Sequence, residues 1–349
     1  MSQETPLEYL HAIELPTPYP VGPVTVYLAG APGEPLTLID TGPRTRATRA
    51  ALDAGLESLG YGVPDVKRII ITHAHVDHYG LASDLVAESR AKLWTHAWNI
   101  VTLGHSDDDR KRRISFYAEL MRQAAVPDDI VMAIGQATGA VNRYAQPVAV
   151  DATLQEGDTL RMAKRPWQVL HAPGHSAGLL CFYEPASQTL LSSDHLLANI
   201  SSNPVVEPPP PGERERPRSL ALYRQSLERV AVMKIARALP SHGPVIHDVP
   251  RLVRQRLAFH QRRMDRVSEA LRQGARTTWE VTQVLFPSLS PLDTFLAISE
   301  AIGHLELLEL EGTIASSHAG NVVIWSLVRP EGPQSQSNTQ AKSQPGQEA

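Results

Sequence analysis

Between residues 73 and 78 the chain reads His73-Ala74-His75-Val76-Asp77-His78, four potential metal ligands in six positions. Imidazole and carboxylate are donor types that zinc favours, and a loop can turn alternate side chains toward different ions. Such density after a buried apolar run makes a chance surface cluster a poor explanation. Three more candidates follow: His175 in Pro173-Gly174-His175-Ser176-Ala177-Gly178, Asp194 after Leu190-Leu191-Ser192-Ser193, and His242 in Pro240-Ser241-His242-Gly243-Pro244. Taken singly, a histidine in a Gly/Pro loop is ordinarily a turn residue. Together the seven supply a full set of donors for two metal ions.

Such donors need a rigid frame. Residues 24–40 read as two short strands around a Pro/Gly turn, the second running into Asp40-Thr41-Gly42. Residues 45–60 carry helical spacing, and the β-branched run 66–72 reads as a buried strand emptying into the His73 motif. A helix over 81–90 and a strand over 92–95 continue the alternation of a layered α/β domain. Residues 96–146 are helical in pattern and too long for a connection, so they are read as a cap inserted between strands. Strands are expected at 148–150, 159–162, 167–171, 179–183 and 189–192, and the Pro-rich segment 203–218 cannot be regular structure. Residues 1–250 are taken as the catalytic domain. An arginine-loaded helix over 251–276, helical segments at 277–286 and 291–309 and a hairpin at 312–325 suggest a small winged-helix-like domain over 251–329. The polar remainder, 330–349, is expected to be disordered.

At 349 residues the chain can build one large domain and a smaller one. A net charge of −4 makes no global demand for nucleic acid or acidic membranes, so any basic surface must be local. The single cysteine, Cys181, precludes an intramolecular disulfide and fits a reducing compartment. With no signal-like start and no run of 18 apolar residues, the expectation is a cytoplasmic protein without a membrane span.

In combination these motifs resemble the metallo-β-lactamase superfamily, over roughly residues 24–244. The resemblance implies an αββα sandwich of two mixed sheets with the metals at one edge. It implies that His73, His75 and His175 hold one metal, that Asp77, His78 and His242 hold the second, and that Asp194 bridges them. Asp40 resembles the family's aspartate that orients a ligand from behind; on its own it also reads as a turn-stabilising residue before Thr-Gly. The implied cofactors are two Zn2+, although iron, manganese or cobalt suit the same donors. The implied chemistry is attack by metal-bound hydroxide on a carbonyl or phosphorus, with Asp77 orienting the nucleophile and no serine or cysteine needed. Histidine rather than glutamate at position 75 sets the chain apart from the diiron branch, and Asp194 with His78 argues against a true β-lactamase. Ser193 and Ser241 stand where glycine is more usual. The strings at 257–263, 277–281 and 301–308 resemble the tail of the lactamase-β-like branch, which carries a winged-helix-like domain and includes thioesterase-like proteins and an endoribonuclease.

Two functions compete on these grounds. The first is hydrolysis of a small ester, thioester or lactone, favoured because the insertion would overhang the metals. The second is an endoribonuclease or other phosphodiesterase, for which Arg251, Arg254, Arg256, Arg262, Arg263, Arg266, Arg272 and Arg276 face only Asp265 and Glu269. Charged helices are more often solvated faces or the rim of a dimer, which leaves a homodimer open. Aromatics at 5% offer no stacking platform, so nucleic acid is the less favoured partner. An anionic thioester would satisfy both features, with Arg262, Arg263 and His195 as candidate substrate contacts.

Overall fold

The computed structural model describes residues 7–328; the polar tail expected at 330–349 lies outside them. Among the described residues a six-stranded sheet runs in sequence order: β1 (Leu10–Leu15), β2 (Val24–Ala29), β3 (Thr37–Ile39), β4 (Arg68–Ile70), β5 (Lys92–His96) and β6 (Ala152–Leu154). β1 to β3 pair antiparallel and β3 to β6 parallel. The second sheet holds β7 (Thr159–Met162), β8 (Arg165–His171), β9 (Leu180–Glu184), β10 (Thr189–Ser193) and β11 (Arg237–Pro240) in spatial order 11-10-9-8-7, antiparallel except for β10 with β11.

Period-two alternation divides the strand residues between layers. Tyr27, Ala29, Ile39 and Ile70 of the first sheet meet Trp167, Val169, Leu180 and Phe182 of the second in the inter-sheet core. Their neighbours Val26, Leu28, Ile69 and Ile71 face outward onto Leu52 and Leu56 of α1 (Arg46–Ser58). The short α2 (Val76–Tyr79) and α3 (Ala82–Ser89) complete that layer. The sandwich is thus αββα, and each fully buried Leu or Ile in it stabilises by about 1.5–3 kcal/mol over exposure.

The insertion after β5 holds α4 (Ile100–Gly104), α5 (Asp107–Gln123) and α6 (Asp128–Asn142). The strand expected at 148–150 lies instead at β6. Val148 packs into the outer layer, its N–H donating to the Leu103 carbonyl. The Asp151 carboxylate then accepts the Leu93 N–H and pairs with Lys92, so pairing to β5 starts only at Ala152.

On the outer face of the second sheet, Leu170, Leu179 and Cys181 meet Tyr223 and Leu227 of α7 (Ser219–Ala231) and Val253 of α8 (Val249–Arg272). A two-residue strand, β12 (Arg276–Thr277), pairs with β14 (Val322–Leu327). The same continuous cluster takes in Val281 of α9 (Thr278–Leu285), Leu305 of α10 (Pro291–Leu310), Ile314 of β13 (Ile314–Ala319) and Trp325 of β14. The cap leans on this C-terminal region: Leu120 and Met121 of α5 and Ile134 of α6 pack with Ile298 and Ile302 of α10. No helix among the described residues is long and apolar enough to cross a membrane.

Candidate metal centre

Strands β3 and β4 run parallel, as do β8, β10 and β11, so their carboxyl ends open on one edge of the sandwich. Asp40 follows β3, the His73 loop follows β4, and the loops after β8, β10 and β11 carry His175, Asp194 and His242. The edge therefore gathers all seven candidate donors, although they span 170 positions of sequence.

Their ligating atoms fall into overlapping trios: His73, His75 and His175; Asp77, His78 and His242; and His73, His78 and Asp194 between them. In the first, His75 Nδ1 lies 3.0 Å from His73 Nε2 and 2.9 Å from His175 Nε2. In the second, Asp77 lies 3.4 Å from His242 Nε2 and 3.8 Å from His78 Nε2. Asp194 spans both, with Oδ2 3.3 Å from His175 and 3.6 Å from His78 and Oδ1 3.8 Å from His242. Donors of a tetrahedral zinc site stand about 3.3 Å apart, from Zn–N bonds near 2.05 Å.

Hydrogen bonds behind the rings decide which nitrogen faces the centre. His78 Nδ1 donates to Asp40 Oδ2 at 2.9 Å, His175 Nδ1 to the Asn203 carbonyl at 2.9 Å, and His242 Nδ1 to the Pro23 carbonyl at 2.8 Å. Each leaves an Nε2 lone pair directed inward. Thr72 relays the same control to His73: its hydroxyl donates to Asp40 Oδ2 at 2.8 Å and accepts from His73 Nδ1 at 3.1 Å. His78 Nε2 is buried with no hydrogen-bond partner. An orphaned lone pair beside two carboxylates fits a cation, since burial without a partner is costly.

Charge agrees with that fit. Burial, then the neighbouring histidines, holds His73 well below the ordinary imidazole value and His75 down to about 3, so both are neutral donors at pH 7. Burial alone would raise Asp77 and Asp194, but His78 together with His242 or His175 holds Asp77 at about 2 and Asp194 well below the carboxylate range. Against burial, Asp194 and Asp77 in turn push His78 well above the ordinary imidazole value and raise His242, so divalent cations at the centre would supply the charge that these protonated rings otherwise provide.

Local backbone explains the two serines that replace glycine. A register shift between Leu191 and Ser193 forms a bulge in β10 that re-aims the following residues. Ser193 sits there at φ 46°, a left-handed conformation that favours glycine. Its hydroxyl lies 2.8 Å from Thr72 Oγ1, a contact glycine could not make. Ser241 Oγ likewise hydrogen-bonds Asp194 Oδ1. Asp40 is also left-handed, at φ 62°, which aspartate tolerates better than most residues.

The expected substrate contacts fare differently. His195 is fully buried beside Tyr223, with neither ring nitrogen hydrogen-bonded. Arg263 pairs with Glu300 at 3.2 Å and stacks on Phe259 and Phe286, while Arg262 is exposed; neither joins the donor cluster or the cleft beside it. Other arginines of that helix also serve the protein itself. Arg256 caps the Leu197 and Ala198 carbonyls, Arg266 those of Val284 and Leu285, and Arg276 that of Ala270.

Sequence reasoning missed the Pro-rich segment's role. The Val205 N–H donates to the His175 carbonyl, and Glu207 accepts the Ala177 N–H at 2.6 Å, so this segment walls the centre. Arg112 of the cap donates to the Pro209 carbonyl at 2.8 Å and Tyr117 to that of Val206 at 3.2 Å. Tyr19 was also missed: its buried hydroxyl has no partner, and burial and then the Asp77 carboxylate push its acidity down. Neither Glu207 nor Tyr19 stands in a motif or periodic run that would single it out.

A model of the metallo-β-lactamase superfamily matches residues 19–242. A Bacillus subtilis protein named "Probable metallo-hydrolase YqjP" is 31% identical over 91% of this chain and 98% of its own length. An atrochrysone carboxyl ACP thioesterase of Aspergillus fumigatus is 29% identical over 37% of this chain and 30% of its own. The crystal structure of a metallo-β-lactamase family protein from Thermus thermophilus superposes with a TM-score of 0.78 at 27% identity, covering 92% of this chain and 99% of that one. A β-lactamase domain protein from Burkholderia ambifaria shares the fold, with a TM-score of 0.76 at 23% identity over 93% of both chains.

Proposed function

The chain belongs to the metallo-β-lactamase superfamily, and we propose that it is a dinuclear metal-dependent hydrolase of a small ester, thioester or lactone, with zinc as the ion. The observation that carries the reading is Asp194, whose two carboxylate oxygens reach both donor trios. In this reading His73, His75 and His175 hold one ion and Asp77, His78 and His242 the other. When bound, the ions would supply Lewis acidity and a water of lowered pKa. The remaining work belongs to the chain. Asp77, whose side chain is 18% exposed, orients the attacking water. Asp40 fixes the ring of His78, and the wall formed by the cap and Pro-rich segment limits access to small substrates. Residues 251–329 act as a winged-helix-like unit that braces the cap through α10.

The thioester option draws support from the partial likeness to an ACP thioesterase. The arginine helix does not favour a phosphodiester, because Arg256 and Arg266 cap backbone carbonyls and Arg263 and Arg272 are ion-paired, while Arg276 of β12 caps the Ala270 carbonyl. The test is thiol release from acyl-CoA and acyl-glutathione panels, with lactones and simple esters alongside, on protein of measured metal content. Turnover by the wild type that is lost in a folded Asp77→Ala variant supports the reading. Fully metallated wild type that cleaves none of these substrates would remove it.

A further inference from the structure

A cleft lies against the metal centre, bounded on one side by Ala74 and Ser176, which adjoin donors on both sides of the first trio. Trp98, Arg113 and Glu207 line the rest, with the proline run 208–211. Of its two arginines, Arg112 is occupied: it binds Asp109 at 2.7 Å and the Pro209 carbonyl. Arg113 is not. Its one hydrogen bond is a long contact of 3.4 Å to Thr102 Oγ1, and the Tyr117 ring lies 5.7 Å from its guanidinium carbon. Among the described residues it forms no ion pair, and Glu207, the acid of the cleft, is turned to the Ala177 N–H.

Burial works against the Arg113 charge, and the Glu207 and Asp109 carboxylates act to support it. A guanidinium carries five N–H donors in a planar fork suited to a carboxylate or phosphate. Here most of those donors are unused, in a half-buried site beside the reacting centre. The enclosed room is about 30 Å3, enough for about two waters. The rest of a substrate must lie in the open mouth.

Resting on the hydrolase reading above, we propose that Arg113 is a specificity-determining residue that binds a carboxylate on the substrate, so that the preferred substrates are acyl compounds carrying a second, anionic end. A neutral acyl group of equal length leaves the fork unpaired and gains nothing from it.

The experiment compares succinyl, glutaryl and adipoyl thioesters with neutral alkanoyl thioesters of matching length, on wild type, Arg113→Met and Arg113→Lys of equal metal content. Calorimetric titration of free glutarate onto the same three proteins runs alongside. The expected result is a wild-type preference for the anionic series of about 10- to 100-fold in kcat/KM, the worth of a charge-assisted hydrogen bond. Arg113→Met should lose it, mainly through KM, with neutral substrates unchanged, and Arg113→Lys should restore part. A preference for phosphonate over carboxylate analogues, no wild-type preference, or equal losses on both series in Arg113→Met would overturn the proposal. If Arg113→Met fails to fold, the wild-type preference and the Lys variant decide. Glutarate binding that depends on Arg113 without turnover of any thioester, ester or lactone would keep this site and reject the hydrolase reading. Turnover without charge preference, with glutarate binding indifferent to Arg113, would do the reverse.

Discussion

Replacing Asp40 with asparagine changes one atom and should selectively weaken the second metal. Asp40 is buried and accepts three hydrogen bonds, from the Thr72 N–H and hydroxyl at 2.8 Å each and from His78 Nδ1 at 2.9 Å. Asparagine preserves the shape and tolerates the left-handed backbone, but one of its two terminal atoms becomes a donor. If the amide oxygen keeps the Thr72 N–H, the NH2 faces Thr72 Oγ1 and His78 Nδ1. The imidazole must then accept at Nδ1 and carry its proton on Nε2, the atom needed as ligand. If the amide turns over, the buried Thr72 N–H meets a donor instead. Either way a hydrogen bond to a charged group is lost, at about 1.5–3 kcal/mol, or roughly 10- to 150-fold in affinity at 1.4 kcal/mol per decade. The loss should fall mainly on the Asp77–His78–His242 trio, because Asp40 bonds His78 directly and reaches the other trio only through Thr72 and His73. Metal content by mass spectrometry and competitive chelator titration resolve the two sites. Asp40→Asn that keeps two ions, with the weaker affinity within about threefold of wild type, would refute the assigned role of Asp40.

Metal removal should destabilise the whole domain, since the donors join loops from both sheets. For an ion held about a thousandfold above Kd, loss of about 4 kcal/mol lowers Tm by roughly 6 °C, readable by calorimetry with and without chelator. Gly174→Ala should cost about 3 kcal/mol or more, because φ is +143° and a Cβ would stand 2.4 Å from Tyr223 Cα; urea unfolding measures it, and a change below about 1 kcal/mol contradicts the packing argument. Cys181 is fully buried, its thiol donates to the Ser192 carbonyl at 3.3 Å, and burial pushes its pKa up. It should resist alkylation in the native state and react only on unfolding, as labelling followed by mass spectrometry would show.

The C-terminal arginines show how charge counted along a sequence can mislead. Eight arginines against two acids within one segment look like a phosphate surface. In the fold Glu269 pairs with Arg272, but Arg263 is answered by Glu300 from another helix, and backbone carbonyls of neighbouring loops take Arg256 and Arg266. Arginine's fork is as well suited to holding carbonyls across an interface as to binding an anion. Meanwhile Arg113, one of several charged residues in an ordinary cap helix, is the one left with donors free beside the centre.

From its residues alone the sequence determined a layered α/β domain and seven candidate donors, the αββα frame being what their resemblance to a family implied. Both depend on short-range patterns: strands such as 69–71 alternate between two apolar environments, and chemically specific residues stand where such strands end. A donor at the carboxyl end of a strand can be placed without knowing its neighbours, because parallel strands put those ends on one edge. Only the tertiary structure decided what completes the site. The hydroxyls of Ser193 and Ser241 acquire meaning from a bulge and from the position of Asp194, and Glu207 from a proline segment folded against His175. The strand at β6 was displaced because Asp151 bonds to β5 through its side chain, a contact across 58 positions that no local propensity encodes. Whether a charged side chain is engaged or free is likewise a sum over neighbours distant in sequence, so a candidate substrate contact such as Arg113 stayed hidden while the candidate metal donors did not.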